Sequence, residues 1–121
     1  MHGCGARLSR TWPMQHPEHD AQVALFDWMK IHEANWPMLR FCAAIPNGDK
    51  ITAALLKQEG VRRGVPDLVL PCKDVTGRYP GLWIELKYGR NKLSPEQQEW
   101  LTWLAAQGFQ TVRITECPKG C

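Results

Sequence analysis

No stretch of the 121-residue sequence approaches the roughly 18 to 20 consecutive apolar residues of a membrane-spanning helix, so a membrane partner is not expected. The first segment, "MHGCGARLSRTWPMQ", lacks the apolar block of a secretory signal, and a cytoplasmic setting is expected. Cys4, Cys42, Cys72, Cys117 and Cys121 are odd in number and form no CxxC pair. They point to neither a zinc ribbon nor a disulfide framework, and reduced thiols without a role are expected. Internal repeats and low-complexity runs are absent, and the net charge is only +3. That balance permits a nucleic-acid partner without requiring one.

What is present suffices for one compact core: 44% hydrophobic and 22% charged residues in a chain of single-domain length. Residues 1–16 carry Gly and Pro without a consistent period and are expected to be a loose leader, with a domain over 17–115 and a tail over 116–121. In "PEHDAQVALFDWMKIHEA", Ala21, Leu25, Trp28 and Met29 recur at helical spacing, with Pro17 suited to the first turn. "LRFCAAI" (39–45) is predicted to be a short strand, followed by a turn at Asn47-Gly48. "KITAALLKQEG" predicts a helix stopped by Gly60. "VPDLVL" and "GLWIEL" are short apolar runs bounded by Gly and Pro, the pattern of central strands. In "LSPEQQEWLTWLAAQG", Ser94 can cap, Pro95 can take the first helical position, Gln97 can close a capping box and Gly108 can stop the helix. "FQTVRI" predicts a last strand. The order is α-β-α-β-β-α-β, an α/β domain with a mixed central sheet of about four strands flanked by helices.

Asp67 interrupts an otherwise apolar run. Strand alternation puts it on one face with Val65 and Val69, and puts Glu85 and Lys87 together on one face of the neighbouring run. Carboxylates buried side by side are costly unless a cation lies between them, and oxygen donors of this kind suit Mg²⁺ or Mn²⁺. An ammonium beside a metal-bound water can orient or deprotonate it. An ion pair of Glu85 with Lys87 is the structural alternative, but it leaves Asp67 unexplained. His2, His16, His19 and His32 are read as solvated or packed residues rather than ligands.

"PD" at 66–67 followed by "ELK" at 85–87, with the acids 18 positions apart, resembles the PD-(D/E)XK nuclease signature. "EGVRRGVPDLVLP" and "GRYPGLWIELKYGRNKLSPEQQEWLTWLAAQGFQTVRI" narrow the resemblance to the VRR-NUC branch, over roughly residues 17–114. The resemblance implies a restriction-endonuclease-like core and a Mg²⁺-dependent phosphodiesterase acting on DNA, with Mn²⁺ able to substitute. Such domains stand alone in phages and prophages or are fused to repair nucleases, which implies a bacterial or phage-infected cell. Asp67 and Glu85 match the family's metal-binding acids, with the backbone carbonyl of Leu86 as a further ligand. Lys87 matches its active-site lysine, Gln97 the glutamine of "LSPEQ", and Glu18 its first-helix acid.

Glu18 shares a helix face with Gln22, Leu25 and Met29, which favours it over Glu33, its competitor; a surface acid is the plain reading of either. Gln97 shares a stripe with Leu101 and Leu104, so an inward role and the capping box are both open. Asn47 is read equally as a site residue or a turn residue. Arg62 and Arg63 are read as phosphate contacts, and Lys57, Arg90 and Lys92 join them in a basic middle third.

Trp100 and Trp103 cannot face the same core as Leu101 and Leu104, and together with Trp83 they suggest an exposed apolar patch and a homodimer. The expected activity is cleavage of branched DNA such as a four-way junction or flap. A sequence-specific restriction-type endonuclease or a catalytically silent DNA-binding module is the alternative.

Overall fold

The computed structural model describes residues 17–46 and 53–116. The expected leader, the Asn47-Gly48 turn and tail residues 117–121 lie outside them. The elements follow as α1 (Pro17–His32), a 3-10 helix (Pro37–Phe41), β1 (Ala43–Ala44), α2 (Ala53–Gln58), β2 (Leu68–Leu70), β3 (Leu82–Tyr88), α3 (Pro95–Ala106) and β4 (Gln110–Glu116). The strands form one mixed sheet in chain order: β1 is antiparallel to β2, β2 antiparallel to β3, and β3 parallel to β4. A parallel neighbour demands a crossover, and α3 supplies it.

The register explains the core. Leu68 lies opposite Ile84, so Leu68, Ile84 and Leu86 project from one face of the sheet. All three are buried, and Leu25 and Phe26 of α1 pack against them. Met29, one turn beyond Leu25, is buried as well, so Leu25 and Met29 of the stripe read from the sequence face the sheet, while Trp28 is 48% exposed and Phe26 takes its place against the core. Glu85 projects from the opposite face and is only 2% exposed. Both faces of β3 are thus covered, which is why "GLWIEL" reads as a nearly continuous apolar run.

Local chemistry fixes the ends of α3. The Ser94 hydroxyl accepts from the Gln97 N–H at 3.1 Å, and the Gln97 amide oxygen accepts from the Ser94 N–H at 2.8 Å. This closes the capping box around Pro95. Gly108 follows with φ +97°, a conformation open to glycine. In the loop between β2 and β3, the Asp74 carboxylate accepts from the Thr76 hydroxyl and the Tyr79 N–H. These bonds hold the Asp74 carboxyl below its usual range, the Thr76 bond foremost.

Two expectations need correction. Leu39–Phe41 belong to the 3-10 helix rather than to a strand. Pro37 sets the first turn, and three-residue bonds run from the Leu39 N–H to Trp36 O and from the Cys42 N–H to Leu39 O. Only Ala43–Ala44 pair with β2. Asp67 likewise lies just before β2 rather than inside it, because Pro66 has no N–H with which to carry the ladder further back.

Among the described residues no helix is long and apolar enough to cross a membrane. Cys42 and Cys72 are free thiols, and burial pushes the Cys42 thiol up, away from the reactive thiolate.

Candidate active site

Asp67 is held from both its backbone and its side chain. Its carbonyl accepts from the Ile45 N–H at 2.8 Å, and its Oδ2 accepts from the Leu86 N–H at 2.7 Å. The second bond is short, as expected of an N–H donating to a carboxylate. It joins the two halves of the motif, because Leu86 sits between Glu85 and Lys87 on β3. Asp67 and Leu86 line a cleft of about 450 Å³ at the edge of the α1 face, together with Ala44, Ile45 and Pro46. His19 and Gln22 of α1 close its other side.

Glu85 lies on the other face of β3, beneath α3. Its Oε2 accepts from the Gln97 side-chain nitrogen at 3.0 Å. Gln97 therefore performs both tasks left open by the sequence: its amide oxygen closes the capping box, and its amide nitrogen holds a buried carboxylate. The two bonds fix which end of the amide is which. Lys87 is half-buried, two residues along the same strand.

The remaining predicted residues are placed as follows. Glu18 lies in the first turn of α1, with its side chain outside the described part; Gln22, one turn on, reaches the cleft. Glu33 follows the end of α1 and is half-buried, and it does not line the cleft. Lys57, Arg62, Arg63, Arg90 and Lys92 are all exposed. Arg90 and Lys92 flank Asn91, whose carbonyl accepts from the Arg113 guanidinium at 2.8 Å, so β4 pins the loop that carries them.

The two described histidines, His32 and His19, are packed and solvated respectively. His32 packs as expected, stacked on Trp28 with a ring nitrogen 2.9 Å from the Trp28 carbonyl. His19 is exposed but lines the cleft beside Asp67. Its position three residues before Gln22 is the one sequence signal that could have found it.

Among the described residues, no group of three or more His, Cys, Asp or Glu side chains is close enough to hold a metal ion. The donor chemistry nevertheless suits a hard cation. Asp67 and Glu85 carry the oxygen donors such an ion takes, but Asp67 lines the cleft with Leu86 while the Glu85 carboxylate is held by Gln97 on the other face of β3.

The tryptophans divide. Trp83 is half-buried and meets Phe109 edge to face, with ring centroids 6.2 Å apart, so it adds nothing to a surface patch. On α3, Leu104 is buried and Leu101 half-buried, while Trp103 is 60% exposed.

Residues 15–115 match the family model of the VRR-NUC domain. A solved structure titled as a VRR-NUC domain protein aligns at a TM-score of 0.67 and 26% identity, covering 86% of this chain and 81% of that one. No curated protein matches.

Proposed function

Because the chain belongs to the VRR-NUC domain family, a nuclease family, we propose that it is a Mg²⁺-dependent endonuclease that hydrolyses phosphodiester bonds in branched DNA. The observation that carries this reading is the 2.7 Å bond from the Leu86 N–H to the Asp67 carboxylate, which ties the aspartate to the Glu85-Leu86-Lys87 run. Glu18, Asp67, Glu85 and the Leu86 carbonyl would hold the metal, which requires the Glu85 carboxylate to turn from Gln97 toward Asp67. Bound there, Mg²⁺ would supply Lewis acidity toward the phosphate and lower the pKa of a coordinated water. Asp67 is oriented in advance by its backbone donor, and Gln97 steadies Glu85 without adding charge. Lys87 positions the attacking water and offsets the charge that builds on the phosphate oxygens. Arg62, Arg63, Lys57, Arg90 and Lys92 contact phosphates, which fixes the register of the DNA but reads no sequence.

The test is cleavage of labelled linear duplex, flap and four-way-junction DNA with Mg²⁺, Mn²⁺ or EDTA. Wild-type protein should cut branched DNA with either metal and nothing in EDTA. Lys87→Ala should still bind Mg²⁺ but cut at least about 100-fold more slowly. Discrete fragments from random linear duplex would replace this reading with the sequence-specific one. Binding without cutting under every condition would leave a silent DNA-binding module.

Cutting two strands suits a symmetric pair of sites, and we propose a homodimer whose second copy docks along β4. Val112 and Ile114 carry the apolar face of the sheet outward beyond β3, and they are 37% and 42% exposed. Sedimentation should give about twice the chain mass of 13.8 kDa. A monomer at assay concentration would overturn the dimer and leave the nuclease reading standing.

A further inference from the structure

Beside the segment 59–67 that joins α2 to β2 there is a second hollow, of about 320 Å³, lined by Arg62, Glu99, Trp100 and Trp103. We propose that it receives an unpaired nucleobase of the DNA substrate; the proposal rests on the nuclease reading above. Three observations converge on this occupant.

The walls are aromatic. Trp103 is 60% exposed although its neighbour Leu104 is buried, and an indole left open beside a half-buried second indole offers a stacking surface to any base. Arg62 lines the same hollow, and a guanidinium plane stacks on a base while keeping its charge for the adjoining phosphate. Glu99 completes the lining, and its carboxylate repels phosphate while accepting hydrogen bonds from ring or exocyclic N–H groups. A phosphate is therefore the wrong group for this hollow, and a purely apolar side chain would leave both charges unused. A base has a π-face for the tryptophans and N–H donors for Glu99.

Position ties the hollow to the chemistry. Gln97, which holds Glu85, and Trp100 are three residues apart on α3, an axial rise of about 4.5 Å. Gly64, two residues after Arg62, packs closely on Glu96 in the first turn of the same helix, which brings the loop against α3. A nucleotide whose phosphate lies on the Glu85 side of β3 thus comes within reach of the hollow once its base leaves the stack. Duplex interiors, the paired arms of a junction included, do not offer such a base, whereas a single-stranded flap does.

The test separates base capture from cutting by using EDTA. Affinities are measured for a duplex with a short single-stranded overhang and for the same DNA with abasic overhang residues. Wild type should bind the base-bearing overhang roughly 5- to 150-fold more tightly than the abasic one. Trp103→Ala should bring that ratio to about 1, and Trp103→Phe should retain most of it. A ratio near 1 for wild type, or an unchanged ratio in Trp103→Ala, would overturn the base pocket. So would a Trp103→Ala protein that keeps the ratio but turns from dimer to monomer, which would make the tryptophan part of a subunit interface. If metal-dependent cutting persists in those cases, the nuclease reading stands alone. A wild type that discriminates the base but cuts no DNA with either metal leaves the pocket and removes the nuclease.

Discussion

Asp67→Asn should reduce Mg²⁺-dependent cleavage by more than about 100-fold, the upper end of what losing a supporting outer-shell partner costs, while leaving the fold nearly as stable as wild type. The reason lies in what the substitution keeps. Asparagine has the shape of aspartate, and its amide oxygen can still accept the Leu86 N–H that now meets Asp67 at 2.7 Å. What disappears is the negative charge offered to a cation in the cleft shared with Leu86. Asp67→Ala removes both the charge and the acceptor, leaving the Leu86 N–H without its partner at about 1–3 kcal/mol. Single-turnover cleavage, thermal melting and calorimetric Mg²⁺ titration of the three proteins distinguish the roles. Asparagine should lose cutting and metal binding but keep its melting temperature; alanine should lose all three. Wild-type cutting by Asp67→Asn would remove the aspartate from the chemistry and reduce it to a brace between β2 and β3.

The two halves of the motif differ in how far along the chain their partners lie. The Ser94-Pro95-Gln97 signature is local: every partner lies within three residues, so cap, helix start and helix end are all legible. The same is true of β3, whose alternation correctly sends Glu85 to the face opposite Leu86. Asp67 is different, because the partners that fix it are Ile45 and Leu86, both far away in the chain. Alternation alone predicts a residue inside a strand, and the structure places it in the bend that Pro66 creates before one. "LRFCAAI" failed for a related reason. A short apolar run has no period of its own to tell a strand from a 3-10 turn, and Pro37, just upstream, decided the matter. The cleft-lining role of His19 was hidden as well, since the rotation of α1 on the sheet is set by packing of Leu25, Phe26 and Met29 rather than by any feature of the histidine. The hollow beside Arg62 depends on a loop meeting a helix more than thirty residues later, which no local pattern encodes.

That meeting of loop and helix yields the largest expected effect on stability. Gly64 has φ +87°, and a Cβ built on it would lie 2.6 Å from the Glu96 carbonyl carbon, 2.7 Å from the Glu96 Cβ and 2.8 Å from the Glu96 oxygen. Two of those three atoms are backbone of the capped first turn of α3, which has no rotamer by which to retreat. Gly64→Ala therefore combines a left-handed backbone penalty of about 1–2 kcal/mol with an overpacking cost of about 1–3 kcal/mol. Gly77 is the natural control: its φ is +72°, but nothing lies within 4 Å of its Cβ position, so Gly77→Ala should carry the backbone penalty alone. Urea unfolding of both variants should give midpoints in the order wild type, Gly77→Ala, Gly64→Ala, with unchanged slopes. The deficit at Gly64 should also reach function, because relieving the clash means lifting the loop off α3 and drawing Arg62 away from Trp100 and Trp103. Gly64→Ala should then lose discrimination between base-bearing and abasic overhangs at temperatures where it is still folded. Equal midpoints for the two variants would show that the loop yields easily and that Arg62 is not held against α3 by this contact.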